Sequence, residues 1–255
     1  MAKTKIDWCD FVWNPVWGCL NNCKFCYARK IAKRFWKVIY KREIDFLQSK
    51  FCYDGTWTPE MIEEKLKNFE PIFLEHRFKQ GEPNFPSKPS KIFVNSMSEI
   101  YYWDKLSILR VIETIKKYPK HIFMFLTKFP EVYGLYNFPK NCFLGVTITY
   151  TFSNLNHKLC KNAKFNKRFI SFEPLLNFSE GDFINYCIYP QPDWIIVGAQ
   201  TNPYRPPERK WLEKIVGWCR KDNIPLFMKN NLKPVWGDNL IQEFPCFIIE
   251  NLNRP

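Results

Sequence analysis

Glycine is scarce in this chain, with 9 residues in 255. Loops that cradle phosphates need several glycines close together, because the backbone must approach the anion. Neither a G-x-G-x-x-G fingerprint nor a Walker loop occurs, so nothing points to a Rossmann-type or P-loop site. Histidine is rarer still. His76, His121 and His157 stand alone, and none has the paired spacing of a zinc site. No apolar run reaches the roughly 20 residues that cross a bilayer. The opening Met-Ala-Lys-Thr-Lys-Ile has no apolar signal core. The expectation is a cytoplasmic protein with no membrane association. Acidic residues are also short: Asp plus Glu is 25 against 38 Lys plus Arg, a formal charge of +13. That excess suits an anionic partner such as nucleic acid. No helix-turn-helix, zinc-finger or ribonucleoprotein motif specifies one.

Cysteine, by contrast, is plentiful at ten residues. Without an export signal, ten thiols indicate a reducing compartment, where clustered cysteines more often bind metal than form disulfides. Seven are scattered. Cys19, Cys23 and Cys26 form a C-x3-C-x2-C cluster. A tetrahedral zinc site needs a fourth ligand, and no second cysteine pair or His pair supplies it. A [4Fe–4S] cluster usually takes four cysteines, so three leave one iron open to bind and activate a ligand. Zinc with one distant ligand and three unligated core thiols remain the alternatives at this point.

Apolar runs of strand length recur at 91–94, 122–126, 143–147, 168–172, 194–197 and 226–228, with weaker candidates at 11–13 and 50–53. Helical patterns fall at 24–36, 59–69, 104–117 and 207–221. Thr58 and Pro59 form an N-cap and first-turn proline for the second of these. Alternating strands and helices predict parallel strands joined by crossovers. Eight candidate strands predict an α/β fold, a complete or partial (β/α)8 TIM-like barrel, in one domain over 1–255. A doubly wound open sheet is the rival. Pro71, Gly81, Pro83, Pro86 and Pro89 predict an irregular excursion at about 70–90, either a lid or an elaborate connection. The strands end in Asn95-Ser96, Thr127-Lys128, Thr147 and Thr149, Glu173-Pro174, Gly198-Ala199-Gln200 and Lys229-Asn230. In a barrel those ends share one mouth, where such enzymes place their chemistry.

The cysteine spacing, with Phe25 before the last cysteine, resembles that of the radical S-adenosylmethionine (radical SAM) superfamily. Further stretches follow in order: Trp13-Asn14-Pro15-Val16-Trp17-Gly18-Cys19, Val94-Asn95-Ser96-Met97-Ser98-Glu99, Phe125-Leu126-Thr127-Lys128, Phe172-Glu173-Pro174-Leu175-Leu176 and Asp193-Trp194-Ile195-Ile196-Val197-Gly198. Together they resemble the phage- and prokaryote-associated three-cysteine-motif family of uncharacterised proteins, itself placed near radical SAM barrels and spore photoproduct lyase. The resemblance runs from about Lys5 to about Trp236.

This resemblance implies a radical SAM barrel with a [4Fe–4S] cluster on Cys19, Cys23 and Cys26. The open iron would chelate the amino and carboxylate groups of SAM. Reduction would break a carbon–sulfur bond, releasing methionine and a 5′-deoxyadenosyl radical that abstracts hydrogen from substrate. Within that reading Phe25 or Tyr27 lies near the adenine, Ser96 and Ser98 hydrogen-bond the amino-acid end of SAM, and Lys128 meets its carboxylate. Glu173 accepts from the ribose hydroxyls and Lys229 meets substrate. The expected substrate is nucleic acid or a nucleotide-derived compound undergoing modification or repair, with an electron donor such as flavodoxin or ferredoxin. A peptide or small metabolite is the alternative substrate. A non-catalytic, metal-stabilised nucleic-acid-binding protein is the alternative function. One departure stands out: relatives carry a Gly-rich segment with a Glu where this chain reads Ala199-Gln200-Thr201-Asn202-Pro203.

Two basic runs complete the reading. Lys30, Lys33, Arg34 and Lys37 share one helical face by their spacing, with Phe35, Trp36 and Tyr40 between and beyond them. Lys158, Lys161, Lys164, Lys167 and Arg168 form the second, with Phe165 and Phe169. Each reads either as a track for phosphates and bases or as a solvated face.

Overall fold

Side chains alternate across a strand, and here both faces of each central strand are apolar. In a computed structural model, which describes residues 2–49, 58–78 and 83–252, that pattern builds a sheet buried on both sides. The strands are β1 (Ala2–Lys3), β2 (Phe11–Val12), β3 (Val16–Trp17), β4 (Ile72–Phe73), β5 (Lys91–Phe93), β6 (Ile122–Thr127), β7 (Cys142–Thr147), β8 (Lys167–Phe172), β9 (Trp194–Val197), β10 (Gln200–Thr201), β11 (Tyr204–Arg205) and β12 (Leu226–Met228). The helices are α1 (Tyr27–Ser49), α2 (Pro59–Asn68), α3 (Lys105–Lys116), α4 (Leu155–Asn162), α5 (Glu180–Asp182), α6 (Arg209–Lys221), α7 (Lys233–Trp236) and α8 (Cys246–Leu252).

The main sheet runs β1-β2-β5-β6-β7-β8-β9-β12. Seven of its strands are parallel, and β1 pairs antiparallel with β2. One face packs Ile92, Phe123, Leu144, Ile170, Ile195 and Leu226 under residues of α3 and α6. The other gathers Phe93, Met124, Phe143, Phe169, Trp194 and Phe227 around Trp8. Trp8 touches Phe93 of β5 at 4.8 Å and Phe169 of β8 at 6.1 Å. One ring meets strands three positions apart because the sheet curls around it. Among the described residues no ladder joins β12 to β2. Asn230 N donates to Asp7 Oδ2 at 2.8 Å near that opening. The result is a curled half-barrel, the partial form of the expected architecture. The expected strand at 50–53 lies outside the described residues.

Local chemistry explains the helix boundaries. Thr58 accepts from Met61 N at 3.3 Å, and Pro59 opens α2. Asp104 caps α3 by accepting from Ser107 N at 2.9 Å. α1 starts and ends later than the 24–36 pattern, because the cysteine loop occupies its expected first turn and Ile39, Glu43 and Leu47 extend its packed face. The buried Glu43 carboxylate ties α1 to the following connection, accepting from Glu75 N at 2.8 Å and His76 N at 3.1 Å. Described residues of the 70–90 excursion form a connection. Phe85 packs on Trp13, Tyr118 and Phe123 at 5.1, 4.7 and 5.3 Å, and none of them lines the mouth cavity. α4 was not expected; its lysines disguise it as a basic run, while buried Leu159 and Asn156 seat it.

Candidate functional site

A cavity of about 360 Å³ lies at the C-terminal ends of the parallel strands. By the same alternation that builds the inner core, inward-facing positions above Phe93, Phe143 and Phe169 become Asn95, Thr147 and Glu173. All three line the cavity, with Lys128 and Lys229. The three clustered cysteines line it too, as do Phe25, Tyr27, Ser96, Ser98 and Glu99. Every site residue anticipated from sequence therefore borders one space.

The cysteine loop is carried there by strand pairing. β3 pairs with β4, and Gly18 bridges to Ser98 just beyond β5. Gly18 N donates to Met97 O at 3.2 Å and Cys19 N to Phe69 O at 2.9 Å. Gly18 has φ +102, and a Cβ there would lie 2.0 Å from Glu70 O. No other residue type fits that turn without displacing backbone. Arg29 braces the loop: Nη2 donates to Cys19 O at 3.1 Å, and the guanidinium lies 5.2 Å from the Phe69 ring centre.

Two thiols already accept backbone hydrogen bonds. Asn21 N donates to Cys19 Sγ and Arg29 N to Cys26 Sγ, each at 3.3 Å. Cys26 directly precedes α1, so its sulfur lies at the N-terminal end of a 23-residue helix. Burial pushes the Cys19 thiol up to about 11. A cationic centre would offset that cost, because metal ligation takes the deprotonated form. Among the described residues no three His, Cys, Asp or Glu side chains stand close enough to share a single ion. A four-iron cluster makes a different demand, since each thiolate binds a separate iron and the sulfurs stand farther apart than around one ion. Three thiols border one cavity and two of them receive N–H donors, a donor set of the kind such a cluster takes.

The remaining candidates have definite partners. Tyr27 exposes part of its ring, but its hydroxyl donates to Ser96 O at 2.7 Å. Burial of that end raises its pKa. Ser96 Oγ donates to Asn14 Oδ1 at 3.1 Å, and the same oxygen accepts from Met97 N at 3.0 Å. Ser98 Oγ accepts from Trp103 Nε1 at 3.0 Å. Lys229 Nζ ion-pairs with Glu173 Oε1. A Cβ on Gly198 would approach that pair, 2.9 Å from Lys229 Cδ and 3.4 Å from Glu173 Cγ. Residues 199–203 enter the small hairpin of β10 and β11. Gln200 and Thr201 line the cavity.

Glu99 is the principal residue that sequence reasoning missed. It is buried, accepts from the Thr127 hydroxyl, and accepts from Lys128 N at 3.0 Å. Burial raises its pKa, opposed by those hydrogen bonds and the Lys128 charge. Its only sequence signal was an acid placed where an apolar strand ends. Asn95 was also passed over. It donates to Leu126 O at 2.7 Å and accepts from Leu126 N at 3.1 Å, holding the ends of β5 and β6 together.

The basic runs fare differently. Lys30, Lys33, Arg34 and Lys37 are all exposed on α1, as is Phe35, whereas Trp36 and Tyr40 pack inward. The second run leads away from the mouth, because α4 descends toward the start of β8. Lys158 pairs with Glu131 at 2.6 Å and Lys167 with Asp193 at 2.9 Å, while Phe169 is inside the barrel. That run is not a continuous track.

No described helix is long and apolar enough to cross a membrane. No curated protein and no solved structure matches the chain. A family model described as protein of unknown function (DUF5131) matches residues 3–242, so the chain belongs to that family.

Proposed function

We propose that this DUF5131 protein is a radical SAM enzyme that carries a [4Fe–4S] cluster on Cys19, Cys23 and Cys26 and acts on nucleic acid or a nucleotide-derived substrate, drawing electrons from a flavodoxin- or ferredoxin-like donor. One observation carries the reading. Three thiols in C-x3-C-x2-C spacing line the same cavity as the polar ends of a parallel half-barrel. When bound, the cluster and SAM supply reductive carbon–sulfur cleavage and hydrogen-atom abstraction.

The chain's own groups suit that chemistry. Cys26 stands at a helix N-terminus on the cavity wall, its sulfur oriented by the hydrogen bond from Arg29 N. Ser96 Oγ keeps acceptor capacity for an ammonium group after donating to Asn14, and Ser98 keeps its proton for a carboxylate after accepting from Trp103. Lys128 adds a cation for the same carboxylate. Phe25 and the Tyr27 ring offer apolar surface to an adenine. Glu173 is a ribose acceptor already oriented by Lys229. The aromatic floor beneath, led by Phe93 and Trp8, excludes water from below.

Anaerobic purification followed by iron, sulfide and zinc analysis tests the cluster. The expected result is iron and sulfide near four per chain with little zinc. Reduction in the presence of SAM should then yield 5′-deoxyadenosine. Zinc without iron, or an assembled cluster that never cleaves SAM, would sink the proposal.

A further inference from the structure

A second hollow adjoins the first and shares Lys128 and Thr147 with it. It has a volume of about 590 Å³ and is lined further by Thr149, Tyr150, Phe152, Ser153 and Tyr186. Tyr150 and Phe152 are 42% and 60% exposed, yet their rings stack on each other at 5.5 Å with an interplanar angle of 29°. On the other side, Phe129 directly follows Lys128 and lies against exposed Tyr101 at 4.6 Å and 31°. Lys128 thus shares the hollow with one ring pair and is followed in the chain by a member of the other.

The loop presenting the outer pair is rigid. Tyr150 bridges to Asn177, and Leu176 N donates to Thr149 O at 2.9 Å. Thr151, between the two rings, is fully buried and accepts from Ser179 N at 2.9 Å. Asn156 donates to Cys187 O at 3.1 Å and Pro190 O at 2.8 Å, anchoring α4 beneath. Anchoring of this kind holds exposed rings in place without covering them, so they meet a ligand at little ordering cost. Flat faces beside a cation suit a base attached to a phosphate. Two separate ring pairs suit successive bases of a strand, and the net charge of +13 suits its backbone.

Deepening the function proposed above and resting on it, we infer that this rim binds an unpaired nucleic-acid strand, with bases stacked on Tyr150 and Phe152 and a phosphate that shares the three donors of the Lys128 ammonium with the SAM carboxylate. The nucleotide that enters the cysteine-lined cavity passes Lys128 and Thr147, the wall the two hollows share.

The test is fluorescence anisotropy of a fluorescein-labelled single-stranded oligothymidylate with the anaerobically purified protein. Replacing both rings, Y150A with F152A, should weaken binding roughly tenfold or more. Y150F should retain affinity, because stacking needs the ring and not the hydroxyl, and this variant guards against a folding defect in the double alanine form. F165A changes an exposed ring at the far end of the barrel and should bind as the parent does. Lys128→Gln should lower the slope of log affinity against log salt by about one. Equal affinity in parent and double-alanine proteins, or no oligonucleotide binding, overturns the proposal. Thymidine monophosphate competing as strongly as the oligonucleotide overturns the strand assignment in favour of a free nucleotide. The measurement involves no SAM turnover, so its failure is distinguishable from failure of the radical chemistry.

Discussion

Lys229 and Glu173 meet across the barrel mouth from β12 and β8, over the space that Gly198 leaves on the strand between them. Both were anticipated as separate contacts to ligand. In the folded chain they first contact each other, so each sets the other's position. Lys229 is 13% exposed and Glu173 25%. Glu173→Gln therefore leaves a largely buried ammonium without its counter-charge and should destabilise the fold by about 1–3 kcal/mol. Pairing it with Lys229→Gln should recover part of that loss, because the uncompensated charge is gone. Urea unfolding midpoints of the two single variants and the double check this. Simple additivity would refute the coupling.

The cysteines divide by position. Cys19, Cys23 and Cys26 line the mouth, whereas Cys160 lies on α4. Cys23→Ala should lose most bound iron, and Cys160→Ala should keep it. Iron per chain after anaerobic reconstitution is the measurement, and equal iron in the two variants contradicts the ligand assignment.

Gly18→Ala tests the turn that delivers the cysteines. The residue has φ +102, and its new Cβ would fall 2.0 Å from Glu70 O. Backbone strain alone costs about 1–3 kcal/mol, and the clash adds to it. Lower thermal stability together with impaired iron retention is expected. Parent-like values for both would contradict the close approach.

His121 gives a pH dependence with a defined sign. Burial among Phe85, Tyr118 and Phe123, helped by the nearby Lys120 charge, pushes its pKa from 6.5 down to about 4. The unfolded chain binds this proton first as pH falls. Stability from this residue is intact above about 6.5 and declines toward about 4, by about 3 kcal/mol in all. Glu99 acts oppositely, because its raised pKa lets the native state take up a proton first. The comparison with His121→Phe isolates the histidine. From pH 7 to pH 5 the urea midpoint of the parent should fall relative to that of the variant.

Much of this was readable in the chain because the signals are local. A thiol cluster eight residues long declares itself by spacing. The strands at 122–126, 143–147 and 194–197 declare themselves by unbroken apolar character, which a sheet covered on both faces demands. The caps Thr58 and Asp104 act within three residues of themselves. α4 was obscured because only Asn156 and Leu159 of its eight residues are buried, too few to show a helical apolar period. Glu99 was passed over because its role depends on Thr127 and Lys128, 28 and 29 residues away.

By itself, then, the sequence determined the clustering of three thiols, the order of the main parallel strands and the polar strand ends, all properties of short stretches. Only the tertiary structure decided that Glu173 spends its charge on Lys229, 56 residues distant. It also decided that Lys128 borders two hollows, and that of two similar basic runs the one on α1 is exposed throughout while the second is broken up by ion pairs to Glu131 and Asp193. The physical reason is curvature. A curled parallel sheet brings strand ends that are remote in sequence onto one rim, and which of them touch depends on side-chain length and on the room left by residues such as Gly198.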